Sequence, residues 1–299
     1  MKYVTRQGKI IEKESKWTDF WEKAYSNPIG RAIIKPFTSL GFSRFVGAVL
    51  DSRLSVIVSL PYVKLFHIDL DEYKPKFYSS YNEFFSREIK EEKRPIDAEV
   101  DSFISPCDGK LSLYPIDECA KFKIKHSVYS VDSLLKNKEL AKEYMGGMAM
   151  VIRLTGEDYH HYCYVAEGLK GRNHYVDGKL HIHTPIAQEY FPVYKENARE
   201  YCRIRTKKFG EIIQMEVGAM MIGRICNQKE GVCEVAKGQE KGRFEFGGST
   251  VVVFVKPEQV DFDEDLMQNS AQGIETQVYM GERVGHRFQK DKSLRFFTV

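Results

Sequence analysis

Three short segments of this 299-residue chain carry side chains that could do chemistry together. They are SPCDGK at 105–110, EDYHHYCY at 157–164 and FGGST at 246–250. A serine hydroxyl is a poor nucleophile until a base removes its proton, and a histidine held by a carboxylate is the usual base. Asp108, one of His160 and His161, and Ser249 would supply the three parts. Neighbouring residues of a strand face opposite sides, so only one of the two histidines is expected to face a given site.

Each segment also has an ordinary structural explanation. Asp108 and the glycine after it are typical turn residues, and a lone histidine in a strand is usually solvated or satisfied. The pair Gly247 and Gly248 is harder to explain, because glycine costs backbone entropy and packing area where a strand begins. Two small residues leave the Gly248 carbonyl unhindered, within reach of the Ser249 hydroxyl. A bulge or a tight turn is the alternative explanation.

Taken together and in this order, the segments resemble the phosphatidylserine decarboxylase family, whose members process themselves. The similarity covers most of the chain and rests on five segments: NEFFSREIK…RPI, SPCDGK, DYHHYCY, MEVGAMMIGRI and FGGST. Five matches in register are specific, whereas GGST alone would not be. The cleavage motif of the family usually begins LGS. Here it reads Gly247-Gly248-Ser249-Thr250, a small-residue variant found in part of the family.

The resemblance implies that Ser249 attacks the Gly248 carbonyl and that the chain splits between these two residues. The products would be residues 1–248 (the beta chain) and 249–299 (the alpha chain), held together as a heterodimer. Whether these heterodimers associate further into a homo-oligomer is left open. Ser249 would become a pyruvoyl group, a cofactor made from the protein itself. Through a Schiff base with that group, phosphatidylserine would yield phosphatidylethanolamine and CO2. The resemblance implies no metal and no pyridoxal phosphate, and the sequence has no GxGxxG or GxxxxGK motif.

The histidine segment departs from the family pattern at one position. Members usually have a second histidine three residues after the first, and that second histidine is the one assigned to self-cleavage. The position is Cys163 here. His160 matches the first histidine of the family and is the candidate for proton transfer during decarboxylation. The self-cleavage base therefore stays open among His160, His161 and Cys163.

The elements that must position these residues change character along the chain. After residue 100, short apolar runs are punctuated by Gly, Pro, Asn and Asp, which predicts a mainly antiparallel β catalytic core with one helix over 133–144. Before it, apolar bursts over 17–70 alternate with basic residues, which predicts amphipathic helices. The predicted fold class is α+β, with a helical, membrane-associating region over 1–75 and a β-rich catalytic domain over 76–299.

The N-terminal bursts are too short to cross a bilayer, since a spanning helix needs roughly 18 to 20 apolar residues. Amphipathic helices can instead lie in the bilayer interface, and packing on the protein's own core is the alternative. A two-chain lipid substrate favours the first interpretation, because such a lipid does not readily leave the membrane. Basic side chains among the apolar ones would attract an anionic lipid surface. They are Arg31, Lys35, Arg44, Arg53 and Lys64.

Composition limits the location and the partners. The chain has 45 basic and 42 acidic residues, a near balance that predicts no nucleic-acid partner. Its six cysteines form no CxxC pair, so reduced thiols are expected rather than disulfides or a zinc site. The N-terminus is charged and lacks the apolar core of a signal peptide. The sequence therefore predicts a peripheral protein on the cytoplasmic face of the cell membrane.

Three other functions fit parts of the sequence. A pyruvoyl decarboxylase of a soluble amino acid would share the Ser249 chemistry but would not need the apolar bursts. A non-catalytic, β-rich membrane-binding protein would keep its chain intact. A serine hydrolase would use the same residue types, but the sequence lacks the GxSxG segment that usually presents its nucleophile.

Overall fold

The computed structural model describes residues 2–12, 24–124, 127–179, 193–218, 224–245 and 249–289. Its strands are β1 (Lys2–Thr5), β2 (Ile10–Glu12), β3 (Ser102–Ile104), β4 (Gly109–Pro115), β5 (Lys121–Ile124), β6 (Ser127–Ser130), β7 (Met148–Leu154), β8 (His161–Cys163), β9 (Gly168–Lys170), β10 (His174–Val176), β11 (Arg199–Thr206), β12 (Glu211–Val217), β13 (Ile225–Asn227), β14 (Cys233–Val235), β15 (Glu240–Phe244), β16 (Ser249–Val255), β17 (Val260–Phe262), β18 (Glu275–Val278) and β19 (Arg283–Arg287). Its α-helices are α1 (Pro28–Ile34), α2 (Leu40–Leu50), α3 (Ser59–Phe66), α4 (Tyr81–Phe85), α5 (Val131–Leu135), α6 (Lys138–Lys142), α7 (Val193–Glu196) and α8 (Glu264–Ala271). Turns of 3-10 helix lie at Lys35–Thr38, Arg53–Val58, Leu70–Glu72 and Glu91–Lys93.

Most of the described strands form one large sheet. Their order is β14-β9-β11-β12-β16-β7-β4-β18-β1-β2, and β10 pairs with β11. Every pairing in this sheet is antiparallel except that of β1 with β18. Two three-stranded sheets, β13-β15-β8 and β17-β19-β3, and the β5-β6 hairpin complete the β structure of the described residues. The predicted α+β class with a mainly antiparallel core is confirmed.

Strand β16 runs through the middle of the large sheet, between β12 and β7. All seven of its residues are buried. Val251, Val253 and Val255 belong to one hydrophobic core, whereas Val252 and Phe254 belong to a second core on the opposite face. A strand covered on both faces needs apolar residues at successive positions, which explains the unbroken run VVVFV.

Different elements cover the two faces of the large sheet. The first core includes Tyr162 of β8, Phe244 of β15 and Leu266 of α8. The second includes Phe122 of the β5-β6 hairpin and Leu134 of α5. The histidine segment therefore lies on the face that the small sheets cover.

The helix predicted over 133–144 is broken in the structure. Helix α5 ends at Leu135 and α6 begins at Lys138. Between them Lys136 has a left-handed backbone with φ of 52°. The Asn137 side chain accepts a hydrogen bond of 3.0 Å from the Leu140 backbone N–H and so starts a new helix. The single-helix prediction is wrong because an asparagine that captures a backbone donor caps a helix instead of continuing it.

The N-terminal helices carry start signals in their own sequence. The Asn27 side chain accepts from the Ile29 backbone N–H at 2.8 Å, and Pro28 occupies the first helical position. The Ser39 hydroxyl accepts from the Phe42 backbone N–H at the start of α2. These are standard helix caps. No described helix is long and apolar enough to span a membrane.

An aromatic cluster connects these helices to the β core. Tyr62 of α3 packs with Tyr81, Phe84 and Phe85 of α4. The Tyr62 hydroxyl also donates to the Gly156 carbonyl oxygen at 2.7 Å, in the loop that follows β7. The helices thus contact the loop that leads into the histidine segment.

Candidate active site

Strand β7 and its two neighbours bring the three sequence segments to one end of the large sheet. On one side Lys110 of β4 pairs with Arg153 of β7, and on the other side Ser249 of β16 pairs with Leu154. Adjacent strands lie about 4.8 Å apart, so the backbones of the aspartate and serine segments are separated by about 10 Å. The histidine segment, 157–164, follows β7 directly in the chain.

Gly109 allows the aspartate segment to approach β7 closely. Its φ is 152°, and a Cβ there would lie 2.8 Å from both the Arg153 carbonyl oxygen and Ile152 Cγ2. Neither this conformation nor this space suits a side chain. Gly109 is therefore required by the close contact between two strands, and not only by a turn.

Ser249 is the first residue of β16 and is 1% exposed. Its Oγ is buried and has no hydrogen-bond partner among the described residues. A buried hydroxyl left without a partner costs about 1–3 kcal/mol, so this position is unfavourable for stability. The residues before it, Phe246, Gly247 and Gly248, lie outside the described residues, and so does the Gly248 side of the expected cleavage bond.

His160 lies buried just before β8. Its Nδ1 is 2.8 Å from the carbonyl oxygen of Asp158. A carbonyl oxygen can only accept, so Nδ1 carries the proton and Nε2 keeps its lone pair. This Nε2 is buried and has no hydrogen-bond partner in the described part of the chain. Burial lowers the pKa of His160 to about 3, and the ring is therefore neutral at pH 7.

His161 has a different environment. Its Nδ1 lies 3.0 Å from Glu240 Oε1, and its Nε2 lies 3.0 Å from the Ser86 carbonyl oxygen. The hydrogen bond from His161 lowers the pKa of Glu240, which keeps that carboxylate charged. The ring also stacks on Tyr159, with centroids 4.7 Å apart. Both nitrogens of His161 are thus occupied by contacts with acceptor oxygens.

Cys163 connects the histidine segment to the aspartate segment. Its backbone N–H donates to the Pro106 carbonyl oxygen at 2.8 Å, and its thiol lies 3.9 Å from the Ser105 carbonyl oxygen. Burial raises the pKa of Cys163 to about 12. The thiol therefore stays protonated at neutral pH.

Asp108 is buried in an ion pair. Arg94 donates from Nε to Oδ1 at 2.8 Å and from Nη2 to Oδ2 at 2.7 Å, and the Met280 backbone N–H donates to Oδ1 at 2.9 Å. Burial raises the pKa of Asp108, and the charge of Arg94 opposes that shift. The hydrogen bonds of Asp108 within the described residues go to these groups and not to His160 or His161.

Two further side chains, Lys110 and Asp158, belong to the site although the sequence did not single them out. Lys110 Nζ lies 2.9 Å from both carboxylate oxygens of Asp158 and 3.0 Å from Thr155 Oγ1. Burial alone would raise the pKa of Asp158, but the Lys110 ammonium outweighs burial and holds the pKa below its usual value. Both residues lie inside the quoted segments, yet only the fold shows that they meet. Because the Asp158 carbonyl contacts His160, this ion pair supports the histidine.

The structure thus separates the sequence-predicted site residues into two groups. Ser249 and His160 are buried and each has a side-chain polar atom without a hydrogen-bond partner among the described residues. Asp108, His161 and Cys163 each make the contacts described above. Arg94 was also missed by the sequence analysis, since it lies 14 residues before its partner Asp108.

Comparison with known proteins shows the family to which the chain belongs. A family model described as phosphatidylserine decarboxylase matches residues 81–286. Phosphatidylserine decarboxylase proenzyme 2 of Clostridium acetobutylicum is 39% identical over 276 residues, 89% of this chain and 94% of that protein. The phosphatidylserine decarboxylase proenzyme of Chlamydia muridarum is 35% identical, covering 96% of this chain and 97% of its own. The family model covers more than half of the chain and these relatives nearly all of it, so the chain belongs to the phosphatidylserine decarboxylase family.

Proposed function

We propose that this chain is a phosphatidylserine decarboxylase that first cuts itself between Gly248 and Ser249. The observation that carries the proposal is the pair of buried, unpartnered atoms, Ser249 Oγ and His160 Nε2, in a member of this family. Each unsatisfied buried polar atom in a folded protein needs an explanation, and a catalytic role is one such explanation. The relatives are named proenzymes, which suits a protein that is processed.

Self-cleavage would begin when His160 Nε2 takes the proton of Ser249 Oγ and the oxygen attacks the Gly248 carbonyl carbon. The bond between that carbon and the Ser249 nitrogen then breaks, which leaves an ester and a free amine. Loss of the Ser249 Cα proton expels the Gly248 carboxylate and leaves dehydroalanine. Addition of water and loss of ammonia convert residue 249 into a pyruvoyl group.

His160 is the base in this proposal because its ring is neutral and its Nε2 has no described hydrogen-bond partner. The Asp158 carbonyl holds its Nδ1 proton, so Nε2 is the atom that can accept. Both nitrogens of His161 face acceptors, and the Cys163 thiol is protonated. We assign Asp108 a positioning role, in which its ion pair with Arg94 holds the aspartate segment beside β7.

A pyruvoyl group supplies an electron-accepting ketone that reacts with a primary amine and takes up the electrons released when CO2 leaves. The surroundings of residue 249 suit such a group, because Ser249 is buried and its hydroxyl makes no described hydrogen bond that conversion would break. His160 Nε2 would then be available to hold or return a proton during decarboxylation.

The two fragments would remain associated after cleavage. Residues 250–255 pair with β7 on one side, and residues 250–254 pair with β12 on the other side. Cutting the bond before Ser249 breaks none of these ladder hydrogen bonds. Chains 1–248 and 249–299 would therefore form a heterodimer that shares one sheet.

The start of the predicted N-terminal region, 1–75, is not helical, because residues 2–5 and 10–12 form β1 and β2 of the large sheet. We further propose that the helical part of this region, 24–75, binds the membrane that holds the lipid substrate, and that 76–299 form the catalytic domain together with these two strands. Exposed apolar side chains on the N-terminal helices and turns support this; they are Ile29, Ile33, Phe45, Val49, Leu54, Ile57, Val58, Leu60 and Leu65. Lys35, Arg53 and Lys64 are exposed among them, whereas the Arg44 side chain lies outside the described part. Such a surface suits peripheral binding to an anionic, cytoplasmic leaflet. A decarboxylase of a soluble amino acid would not need it.

The test is the denatured mass spectrum of the purified protein, with Ser249→Ala as the control. Wild-type protein should give chains 1–248 and 249–299, the smaller one blocked by a pyruvoyl group, and should release CO2 from phosphatidylserine. The control should stay intact and inactive. A wild-type chain that remains whole after prolonged incubation, or a cut chain that releases no CO2 from this lipid, would contradict the proposal.

A further inference from the structure

A cavity of about 560 Å³ adjoins the histidine segment, between helix α4 and strand β15. His161 and Ser86 both line it, and the Ser86 carbonyl oxygen contacts His161 Nε2. Phe85, the residue before Ser86, packs on His160 with ring centroids 4.3 Å apart. The cavity is therefore next to the candidate active site and is walled by the NEFFSRE segment, to which the reaction itself assigns no role.

Arg87 lines this cavity and is 2% exposed. Its guanidinium stacks 4.2 Å from the centre of the Tyr73 ring, and its Nη2 donates to the Tyr73 hydroxyl at 3.1 Å. Its Nε is buried without a hydrogen-bond partner, and it forms no ion pair with a described carboxylate. A buried cation without a counter-charge is costly unless a ligand supplies one.

The other charged side chains of the cavity wall are mostly paired. The contacts are Lys74 with Glu88 at 3.1 Å, Lys76 with Glu83 at 2.7 Å, Glu245 with Arg224 at 3.1 Å, and Asp51 with Asn82 at 2.8 Å. Arg243 differs, because its Nε is buried without a described partner and its Nη2 is 3.8 Å from Glu245. Arg243 also pairs with His161 across β15 and β8. Two arginines with unpartnered Nε groups therefore line one cavity.

We propose that Arg87 and Arg243 bind the phosphodiester of the phosphoserine headgroup, an inference that rests on the proposed function. Arginine offers parallel N–H donors that match the oxygens of a phosphate. The substrate carries a second anion, its carboxylate, but that group leaves as neutral CO2. A cation holding the carboxylate would stabilise the substrate more than the transition state and slow the reaction. The phosphodiester keeps its charge throughout, so binding it anchors the headgroup without opposing the chemistry.

The first test measures binding by calorimetry to the purified full-length protein. The probes are sn-glycero-3-phosphoethanolamine, which has the phosphodiester and no carboxylate, inorganic phosphate, and L-serine. Arg87→Gln and Arg243→Gln should each weaken binding of the glycerophosphodiester by about tenfold or more, as expected for loss of a charge-assisted hydrogen bond. Lys142→Gln, which removes an exposed cation far along the chain in α6, should not change it. L-serine binding should not depend on either arginine.

The second test separates KM from kcat with phosphatidylserine in detergent micelles. A contact that is equally strong in substrate and transition state raises KM when it is removed and leaves kcat nearly unchanged. Arg87→Gln and Arg243→Gln should show this pattern when the fully cleaved protein is assayed. A drop in kcat with KM unchanged would overturn the assignment.

Three outcomes of the binding test would also overturn it. The first is wild-type affinity for the glycerophosphodiester in both arginine variants, and the second is no binding of the glycerophosphodiester to the wild-type protein. The third is that the wild-type protein binds inorganic phosphate as tightly as the glycerophosphodiester, which would indicate a site for the free ion. The Arg243 side chain is 40% exposed, so Arg243→Gln keeps the test valid if Arg87→Gln fails to fold. Arg87→Lys keeps the positive charge but loses the parallel N–H donors of the guanidinium, and should bind the glycerophosphodiester with intermediate affinity. Binding needs no turnover, so arginine-dependent binding in a chain that never cuts itself would refute the proposed function and leave this site intact.

Discussion

His160 and His161 are neighbours in the chain, yet their hydrogen bonds suit them to different work. His160 is neutral, with one nitrogen committed to the Asp158 carbonyl and the other without a described partner. His161 is held at both nitrogens, between Glu240 and Ser86. The first is available for proton transfer, whereas the second joins β8 to the end of α4.

Separate substitution of the two histidines and the cysteine should therefore give unequal results. His160→Gln should slow self-cleavage by about 100-fold or more, the usual contribution of a general base. His161→Gln and Cys163→Ser should still cut, because both nitrogens of His161 are occupied by Glu240 and Ser86 and the Cys163 thiol stays protonated at neutral pH. Time courses of the 1–248 fragment on denaturing gels measure this. Normal cleavage by His160→Gln would show that the base is another group.

The pKa of His160 also predicts how stability depends on pH. The folded value is about 3 and the usual value is 6.5, so between these pH values the unfolded chain binds a proton that the folded chain does not. The stabilising effect of the neutral ring is complete above pH 6.5 and decreases as pH falls. Between pH 7 and pH 5 the loss should be about 2 kcal/mol. Urea unfolding of Ser249→Ala protein with and without His160→Gln tests this, and equal pH slopes would contradict it.

At the scale of elements, the loop between β7 and β8 is held by a side chain from β4. Lys110 is 1% exposed and contacts Asp158 and Thr155 within that loop. The Asp158 carboxylate also accepts from the Thr155 backbone N–H at 2.6 Å. The Asp158 carbonyl in turn contacts His160, so the strand that follows the aspartate segment positions the proposed base.

Lys110→Met should leave the Asp158 carboxylate buried without its counter-ion. Breaking a buried ion pair in this way costs about 3–5 kcal/mol, and self-cleavage should slow because the loop no longer holds His160. Lys110→Arg keeps the charge and should lose less. The control is Lys142→Gln, which removes an exposed pair with Glu139 and should change stability by less than about 0.5 kcal/mol. Urea unfolding gives both values, and equal losses in Lys110→Met and the control would refute this role.

At the scale of the whole molecule, two surfaces contrast. The large sheet buries its central strands under cover on both faces, while the N-terminal helices and turns leave apolar side chains in solvent. Leu54 and Ile57, in the turn between α2 and α3, are 84% and 76% exposed. A soluble protein gains nothing from such exposure, but a membrane can cover it.

Replacing Leu54 and Ile57 together by serine should weaken binding to phosphatidylglycerol vesicles by about tenfold or more, since each side chain loses burial in the lipid. Self-cleavage should not change, because these side chains pack against nothing in the site. The matched control is Val100→Ser, which is 69% exposed but lies outside the helices. Vesicle flotation measures the bound fraction. Equal binding of the double variant and the control would place the membrane surface elsewhere.

Sequence patterns predicted most of the fold because the strands are short and their burial is regular. The run VVVFV predicts a buried strand and is one, covered on both faces. The break at Lys136 and Asn137 was not predicted, because helical periodicity over 133–144 does not reveal which side chain captures a backbone donor. The aspartate, histidine and serine segments were found from residue types and order alone.

The sequence by itself therefore determined the family, the fold class and the residue types available for catalysis, since these depend on local patterns and their order. The tertiary structure decided which of those residues has a buried polar atom left without a described partner. The partners of His161 lie 75 and 79 residues away from it in the chain, and Lys110 is 48 residues from Asp158. Protonation and hydrogen bonding depend on what folding brings within about 3 Å, which no local pattern contains.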